Sequence, residues 1–316
     1  MLKKGMLFLS TLLLIFSCSD SVSSEATSTF STFGGSYNGY GYNVSLTNDG
    51  GYLLVGKTYN KTSDGTDNQF DTYVVKVNPS GVEEVSYSLD DGLETPVEFV
   101  NDELNAEISD AKTTDDGGHI LVGSKYSVAT GSDILIVKVT SSGILDANFA
   151  TNGILTIDVG TNSDDKGASI VVNDDGSYTI AGVVHASADG GYDIYVAKIQ
   201  KDGTPASATI IEGDKDNATD ANDLDDFAVE INRTDAGGYI IAGSTRNLDG
   251  SDMWIVEVSS AIAEVSATQA DRKTFGSTTN DEYGNSAIQT TDGGYAIAGY
   301  TYSSGSGQSD FFIVKD

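Results

Sequence analysis

The stretch T-D-G-G-Y-A-I-A-G at residues 291–299 decides the fold, because altered copies of it stand four more times along the chain. Toward the N-terminus they read T-D-A-G-G-Y-I-I-A-G (234–243), N-D-D-G-S-Y-T-I-A-G (173–182), T-D-D-G-G-H-I-L-V-G (114–123) and T-N-D-G-G-Y-L-L-V-G (47–56). Each copy is followed by an Asp, four mostly apolar residues and a charged residue: Asp71 to Lys76, Asp133 to Lys138, Asp193 to Lys198, Asp252 to Glu257 and Asp310 to Lys315. Copies recur at intervals of about 60 residues, a spacing that marks stacked supersecondary units unable to bury their faces alone.

Each unit reads as short strands. Asp-Gly-Gly is a hairpin turn, since glycine tolerates the positive φ that tight turns need. The segment after it, ending in Ala/Val-Gly, is a strand. So is the run from the Asp, rich in β-branched and aromatic residues. Its apolar residues are contiguous, as in Ile134-Leu135-Ile136-Val137, which predicts burial on both faces. The order per unit is strand a before the turn, strands b and c after it, and a less regular strand d beyond a second turn such as Asn78-Pro79-Ser80-Gly81. Four-stranded antiparallel sheets repeated radially make an all-β propeller. Five blades are expected, or six if the longer insert at 82–109 hides a degenerate one. The chain ends on the fifth strand c, and Thr32-Phe33-Gly34-Gly35-Ser36 matches Thr274-Phe275-Gly276-Ser277 at the end of an internal strand d. The N-terminal strand is therefore expected to complete the last blade.

Three segments are expected: a leader at 1–17, a tether at 18–29 and the repeat domain at 30–316. Lys3 and Lys4 precede the apolar run Met6 to Phe16, which has the length of a signal-peptide core and is short for a membrane span. Ser17-Cys18 follows, and residues 19–29 have the small polar composition of a flexible linker. Cys18 is the chain's single cysteine, which excludes disulfides and cysteine-bound metals within the domain. A formal charge of −30 makes nucleic acid and anionic headgroups poor partners.

The apolar run ending in Ser17-Cys18 resembles the lipobox of bacterial lipoproteins. That resemblance implies cleavage before Cys18 and acylation of its thiol and new amino terminus, with the acyl chains seated in a bilayer. The five-fold pattern resembles the T-x-D-G-G-Y repeats of secreted and outer-membrane lipoproteins of Gram-negative bacteria. It implies a cell-envelope location in the outer membrane, and Asp20, just after the cysteine, resembles the acidic signal that sends some lipoproteins to the outer leaflet, which implies display at the surface.

Residues present in every unit are expected to serve the blade: the leading Asp of strand c in turn bonds, the glycines at 56, 123, 182, 243 and 299 in close backbone approach, the strand-c aromatics Tyr73, Tyr195, Trp254 and Phe312 in packing between blades, and the lysines at strand ends. Glu257 departs from this pattern. Function is expected where blades differ, on the face that collects the b–c and d–a loops. Three residues beyond each strand-b glycine stand Tyr59, Tyr126, His185, Arg246 and Tyr302, equivalent positions whose aromatic and hydrogen-bonding groups suit a sugar or another small polar ligand. The insert at 213–226 spaces Asp214, Asp216 and Asp220 like a partial calcium loop, with Ala218 at a ligand position and Thr219 at the turn glycine; a solvated acidic loop is the alternative, and no other cofactor is implied. The expected role is a non-catalytic binding module for a glycan or an envelope or extracellular protein. The alternatives are a glycoside-active enzyme with paired carboxylates and an envelope scaffold. No nucleophile motif or His-rich cluster favours catalysis, and no catalytic pair can be chosen among the acids.

Overall fold

The computed structural model describes residues 32–33, 39–59, 70–88, 106–127, 129–160, 164–185, 191–211, 225–247, 250–262, 272–276, 281–302 and 309–315. All regular structure among them is β. Blade 1 comprises β1 (Gly39–Leu46), β2 (Tyr52–Tyr59), β3 (Phe70–Val77) and β4 (Glu83–Ser88), and blade 2 comprises β5 (Ala106–Thr113), β6 (His119–Ser127), β7 (Gly131–Val139) and β8 (Ile154–Ile157). Blade 3 is β9 (Lys166–Val172), β10 (Tyr178–Val184), β11 (Asp193–Ile199) and β12 (Pro205–Ile211). Blade 4 is β13 (Asp226–Arg233), β14 (Tyr239–Asn247), β15 (Gly250–Val258) and β16 (Arg272–Phe275), and blade 5 is β17 (Glu282–Gln289), β18 (Tyr295–Thr301) and β19 (Asp310–Lys315). Every blade is an antiparallel meander in chain order, and the five form a β-propeller around a common channel. The insert at 82–109 supplies β4 and the start of β5 rather than a sixth blade. The closing strand expected at residues 30–36 falls largely outside the described residues; Thr32 and Phe33 are described and are not in a strand.

Each a–b hairpin closes in the same way. Gly50 N donates to Thr47 O, and Thr47 N donates to Gly51 O; Thr114 to Gly118, Asn173 to Ser177, Thr234 to Gly238 and Thr290 to Gly294 repeat both bonds. This is a three-residue loop with a left-handed residue at its third position, and Gly50, Gly117, Gly176, Gly237 and Gly293 all take φ between 77° and 89° there. The second glycine answers a different demand. A Cβ on Gly51 would stand 2.2 Å from Val77 O.

In four blades the turn carboxylate is an ion-pair partner. Asp49 meets Lys76, Asp116 meets Lys138, Asp175 meets Lys198 and Asp292 meets Lys315, so the strand-c lysines expected only to snorkel reach the turn of their own blade. The Lys76 ammonium, with the Thr47 hydroxyl and Gly51 N–H, holds the Asp49 carboxyl well below its ordinary range. At Asp175 the Ser177 hydroxyl and N–H lower the value to about 2. At Asp116 burial pushes upward, but the Thr114 hydroxyl, the Gly118 N–H and Lys138 outweigh it and hold the group at about 2. Blade 4 accounts for Glu257. Its turn carries Ala236 where the others carry Asp, so a lysine at 257 would have no partner. Glu257 bonds instead to Tyr295 of blade 5; burial first, and that bond second, push the tyrosine up to about 12.

The core lies between blades. In blade 2 strand c is buried on both faces, with Ile134 to Val137 all at most 1% exposed, whereas in blade 5 one face of β19 stays open at Phe311 and Ile313. Of the third-position aromatics, Tyr195, Trp254 and Phe312 pack as expected, and so does Leu135, the one non-aromatic residue at that position; Tyr73 is half-buried and joins none of these clusters. Leu135, Tyr195 and Trp254 are buried in successive interblade clusters, and Phe312 packs against the fourth.

Candidate functional site

The site begins with a defect repeated in every blade. The register between strands a and b slips by one residue at Tyr42, Ser109, Ala168, Val229 and Asn285. Each is a β-bulge, which bends the strand and re-aims a side chain. Bulging drives a carbonyl of strand a toward strand b. A Cβ at Gly56, Gly123, Gly182, Gly243 or Gly299 would stand 2.0, 1.9, 2.4, 1.8 or 1.9 Å from the carbonyl oxygen two residues before its bulge. The repeated glycine therefore does serve close backbone approach, and its partner is the bulge.

All five bulged residues line one cavity of about 460 Å³ on the channel axis. Strand a runs from the variable loops toward the Asp-Gly-Gly turns, and the lining comes from its first two-thirds, so the cavity lies toward the variable-loop end. Residues next to the bulges make a partial belt around it. Asn43 Nδ2 donates to Asp110 Oδ1 (2.8 Å), Ser169 Oγ donates to Asp110 Oδ2 (2.8 Å), and Ser286 Oγ donates to Glu230 Oε2. Asp110, only 1% exposed, also receives Ile170 N and Lys112 Nζ. A buried carboxylate bonded this fully is a fixed part of the wall. Glu107 and Glu230 also line the cavity, and Lys57 Nζ lies 3.5 Å from Glu107 and 5.3 Å from the Tyr42 ring centroid. The Tyr42 hydroxyl has the largest effect and raises the lysine; burial, next in size, lowers it, and the Glu107 carboxylate adds a further upward pull that leaves the net shift upward.

Loops at this end are latched blade to blade. The N–H groups of Ser132, Tyr192 and Ser251 each donate to an aspartate of the following blade: Asp164, Asp225 and Asp281. The leading aspartate of strand c takes a related role in blade 2, where Asp133 accepts the Thr130 hydroxyl.

The five expected ring residues stand at the end of strand b at this face, one strand outward from the cavity, and none of the four with described side chains lines it. His185 N, Arg246 N and Tyr302 N donate to Asp165, Asp225 and Asp281 of their own blades. Two ring residues join aromatic groups: His185 contacts Tyr192, which packs on Phe227, and Tyr302 meets the stacked pair Tyr283–Tyr300. Arg246 faces Asp225 at 3.7 Å, and Tyr126 is exposed. Tyr59 ends β2, and its side chain is outside the described residues, as are Cys18, Asp214, Asp216 and Asp220. Among the described residues no cluster of three metal-ligating side chains occurs.

Sequence reasoning missed the cavity wall. A signal existed: each bulged residue precedes its strand-b glycine by the same sequence distance. The five identities differ so completely that no motif marks them.

A family model described as "Domain of unknown function (DUF5122) beta-propeller" matches residues 118–149. No curated protein matches the sequence. Among solved structures, an endo-arabinase from Bacteroides thetaiotaomicron is similar at TM-score 0.42 and 12% identity, over 84% of this chain and 89% of that one. An alpha-l-arabinofuranosidase from Fusarium graminearum gives 0.44 and 11%, over 83% and 70%. The polysaccharide lyase Uly1 gives 0.45 and 11%, over 86% and 56%. Likeness at this level assigns neither substrate nor chemistry.

Proposed function

We propose that this protein is a binding module that takes a neutral, hydroxyl-rich ligand of the glycan class into the channel cavity. One observation carries the reading: a single cavity whose five equivalent wall positions hold Tyr42, Ser109, Ala168, Val229 and Asn285, one different residue from each blade. A wall built for stability alone would repeat. This one combines an aromatic face, an amide, hydroxyls and apolar patches, the mixture that fixes a polar ligand in orientation. The chain's charge and the two cavity glutamates disfavour anionic ligands. His185, Arg246 and Tyr302 would offer further contacts outside the cavity, with Tyr59 and Tyr126 at the equivalent places. Cys18, acylated after cleavage of the leader, would hold the module at the outer membrane. A glycan array on the full chain tests the reading, with Tyr42→Ala and Asn285→Ala as variants. Binding of a neutral glycan that both variants weaken supports it; binding that both leave intact moves the site elsewhere.

A second reading, glycoside-active catalysis, is favoured by one observation: Glu107 and Glu230 line the same cavity from blades 2 and 4. Two carboxylates flanking a sugar are the requirement for hydrolysis. Turnover of any bound glycan, abolished by Glu230→Gln, would establish it; binding without turnover would exclude it.

A further inference from the structure

Four blade junctions are sealed by the same contact. The residue two past each bulge shares a buried cluster with the fourth residue of the preceding blade's strand c: Ala111 with Val74, Ile170 with Ile136, Ile231 with Val196, and Ala287 with Ile255. None of these eight is more than 2% exposed. At the fifth junction, between blade 5 and blade 1, the equivalents are Val44, 61% exposed, and Ile313, 74% exposed. Phe311 is fully exposed, whereas its counterparts Thr72, Ile134, Ile194 and Met253 are at most 2% exposed. Leu46 adds to the apolar surface of the blade 1 lip. Apolar patches confined in this way to one pair of faces mark an interaction surface.

We propose that these two faces are each other's partner, forming a joint that opens and closes while the other four junctions stay sealed. The Val44 face and the Phe311–Ile313 face are the equivalents of the two surfaces that meet, through other residues, at each of the four sealed junctions. Both flank the cavity, through Tyr42 and Asn43 on blade 1 and Asn285 on blade 5, so opening gives sideways access to the channel. The competing occupant is a second copy, whose blade 1 face would dock on this blade 5 face. Such head-to-tail pairing propagates into open chains. Tethering two faces in one molecule gives an effective concentration of order millimolar, which favours closure on itself.

The test uses the full chain with Cys18→Ser, which removes its one native thiol. Val44→Cys with Ile313→Cys should form a disulfide within the monomer on mild oxidation. Ile313→Cys alone should react with a maleimide at least about tenfold faster than Ile136→Cys, its counterpart at a sealed junction. Disulfide-linked dimers would assign the faces to a second copy, and thiols that never pair would show that the lips do not meet. Equal maleimide rates would show a joint that never opens. Should a cysteine variant misfold, hydrogen exchange on the unaltered chain decides: amides of β1 and β19 should exchange at least about tenfold faster than those of β7 and β10, and equal protection overturns the proposal.

Discussion

The two ends of this propeller are made from the same five repeats and treat them in opposite ways. At the turn end, four blades carry the same aspartate, the same left-handed glycine and the same lysine partner. At the channel end the five equivalent bulge positions hold five different residues. A shared geometric problem, closing a tight hairpin, has one best answer and therefore one sequence. The channel wall meets no such shared demand, and its bulge positions take as many residues as there are blades. Repetition thus reports structure, and its loss at equivalent positions reports the place available for function.

The largest expected effect tests the frame common to both ends. Gly243→Ala places a Cβ 1.8 Å from Phe227 O, and neither backbone can retreat without breaking the bulge. A loss of about 3–5 kcal/mol in denaturant unfolding is expected. A loss below about 1 kcal/mol would mean that the bulge is not held by that approach.

The next effect distinguishes blade 2 from its siblings. His119 replaces the tyrosine that opens strand b elsewhere; it is 1% exposed, and its Nε2 has no partner among the described residues. Burial, reinforced by Lys76 and Lys138, lowers its value from 6.5 to about 4. The folded state therefore favours neutral imidazole, and the unfolded chain binds the extra proton between these values. The contribution is complete above pH 6.5 and is lost as pH falls toward 4. The shift corresponds to at most about 3 kcal/mol. Below that window the turn aspartates take over: Asp116 and Asp175, each held at about 2, contribute above pH 3.8 and lose their contribution as pH falls toward 2. His119→Tyr should flatten the unfolding free energy between pH 6.5 and 4. An unchanged slope would place the titrating group elsewhere.

How much of this was legible follows from the same contrast. The blade count, the turns, the both-face burial of strand c in the inner blades and the purpose of the strand-b glycine were readable, because each rests on residues that recur. Glu257 was visible as an exception but had no account until Ala236 was seen to lack the carboxylate that a lysine would need. The cavity was hidden. Bulges are a property of register between two strands, and Ser109, Ala168 and Val229 carry no chemistry that would draw notice alone. The expected ring residues Tyr126, His185, Arg246 and Tyr302 stand at the same end as the cavity, one strand outward from its wall.

A smaller effect separates binding from packing at the channel end. Tyr42 is 44% exposed and sits at a bulge, so Tyr42→Ala should change stability by no more than about 0.5 kcal/mol. In the presence of a glycan the chain binds, the same change should cost above about 1 kcal/mol of affinity. Early unfolding with normal binding would make Tyr42 a packing residue and remove the contrast between the two ends.

The smallest effect probes the one blade that breaks the turn-end rule. Ala236→Asp alone sets a carboxylate near Glu257, a like-charge pair, and should destabilise slightly. Glu257→Lys alone removes the bond to Tyr295 and leaves an ammonium with no turn partner, so it too should destabilise. Together they recreate the pair that Asp49–Lys76 and Asp292–Lys315 form in other blades. The double-mutant cycle should therefore give a favourable coupling, with a size set by exposure. Counterpart pairs sit at the surface, where such interactions give about 0.2–1 kcal/mol, and salt should reduce it further. A coupling of zero at low salt would mean that the turn carboxylate and the strand-c lysine are neighbours without being partners. The co-variation of Ala236 with Glu257 would then need another cause, and the Glu257–Tyr295 bond joining blade 4 to blade 5 is the contact to test next, since a glutamate retained for that bond would lose its value in a Tyr295→Phe background.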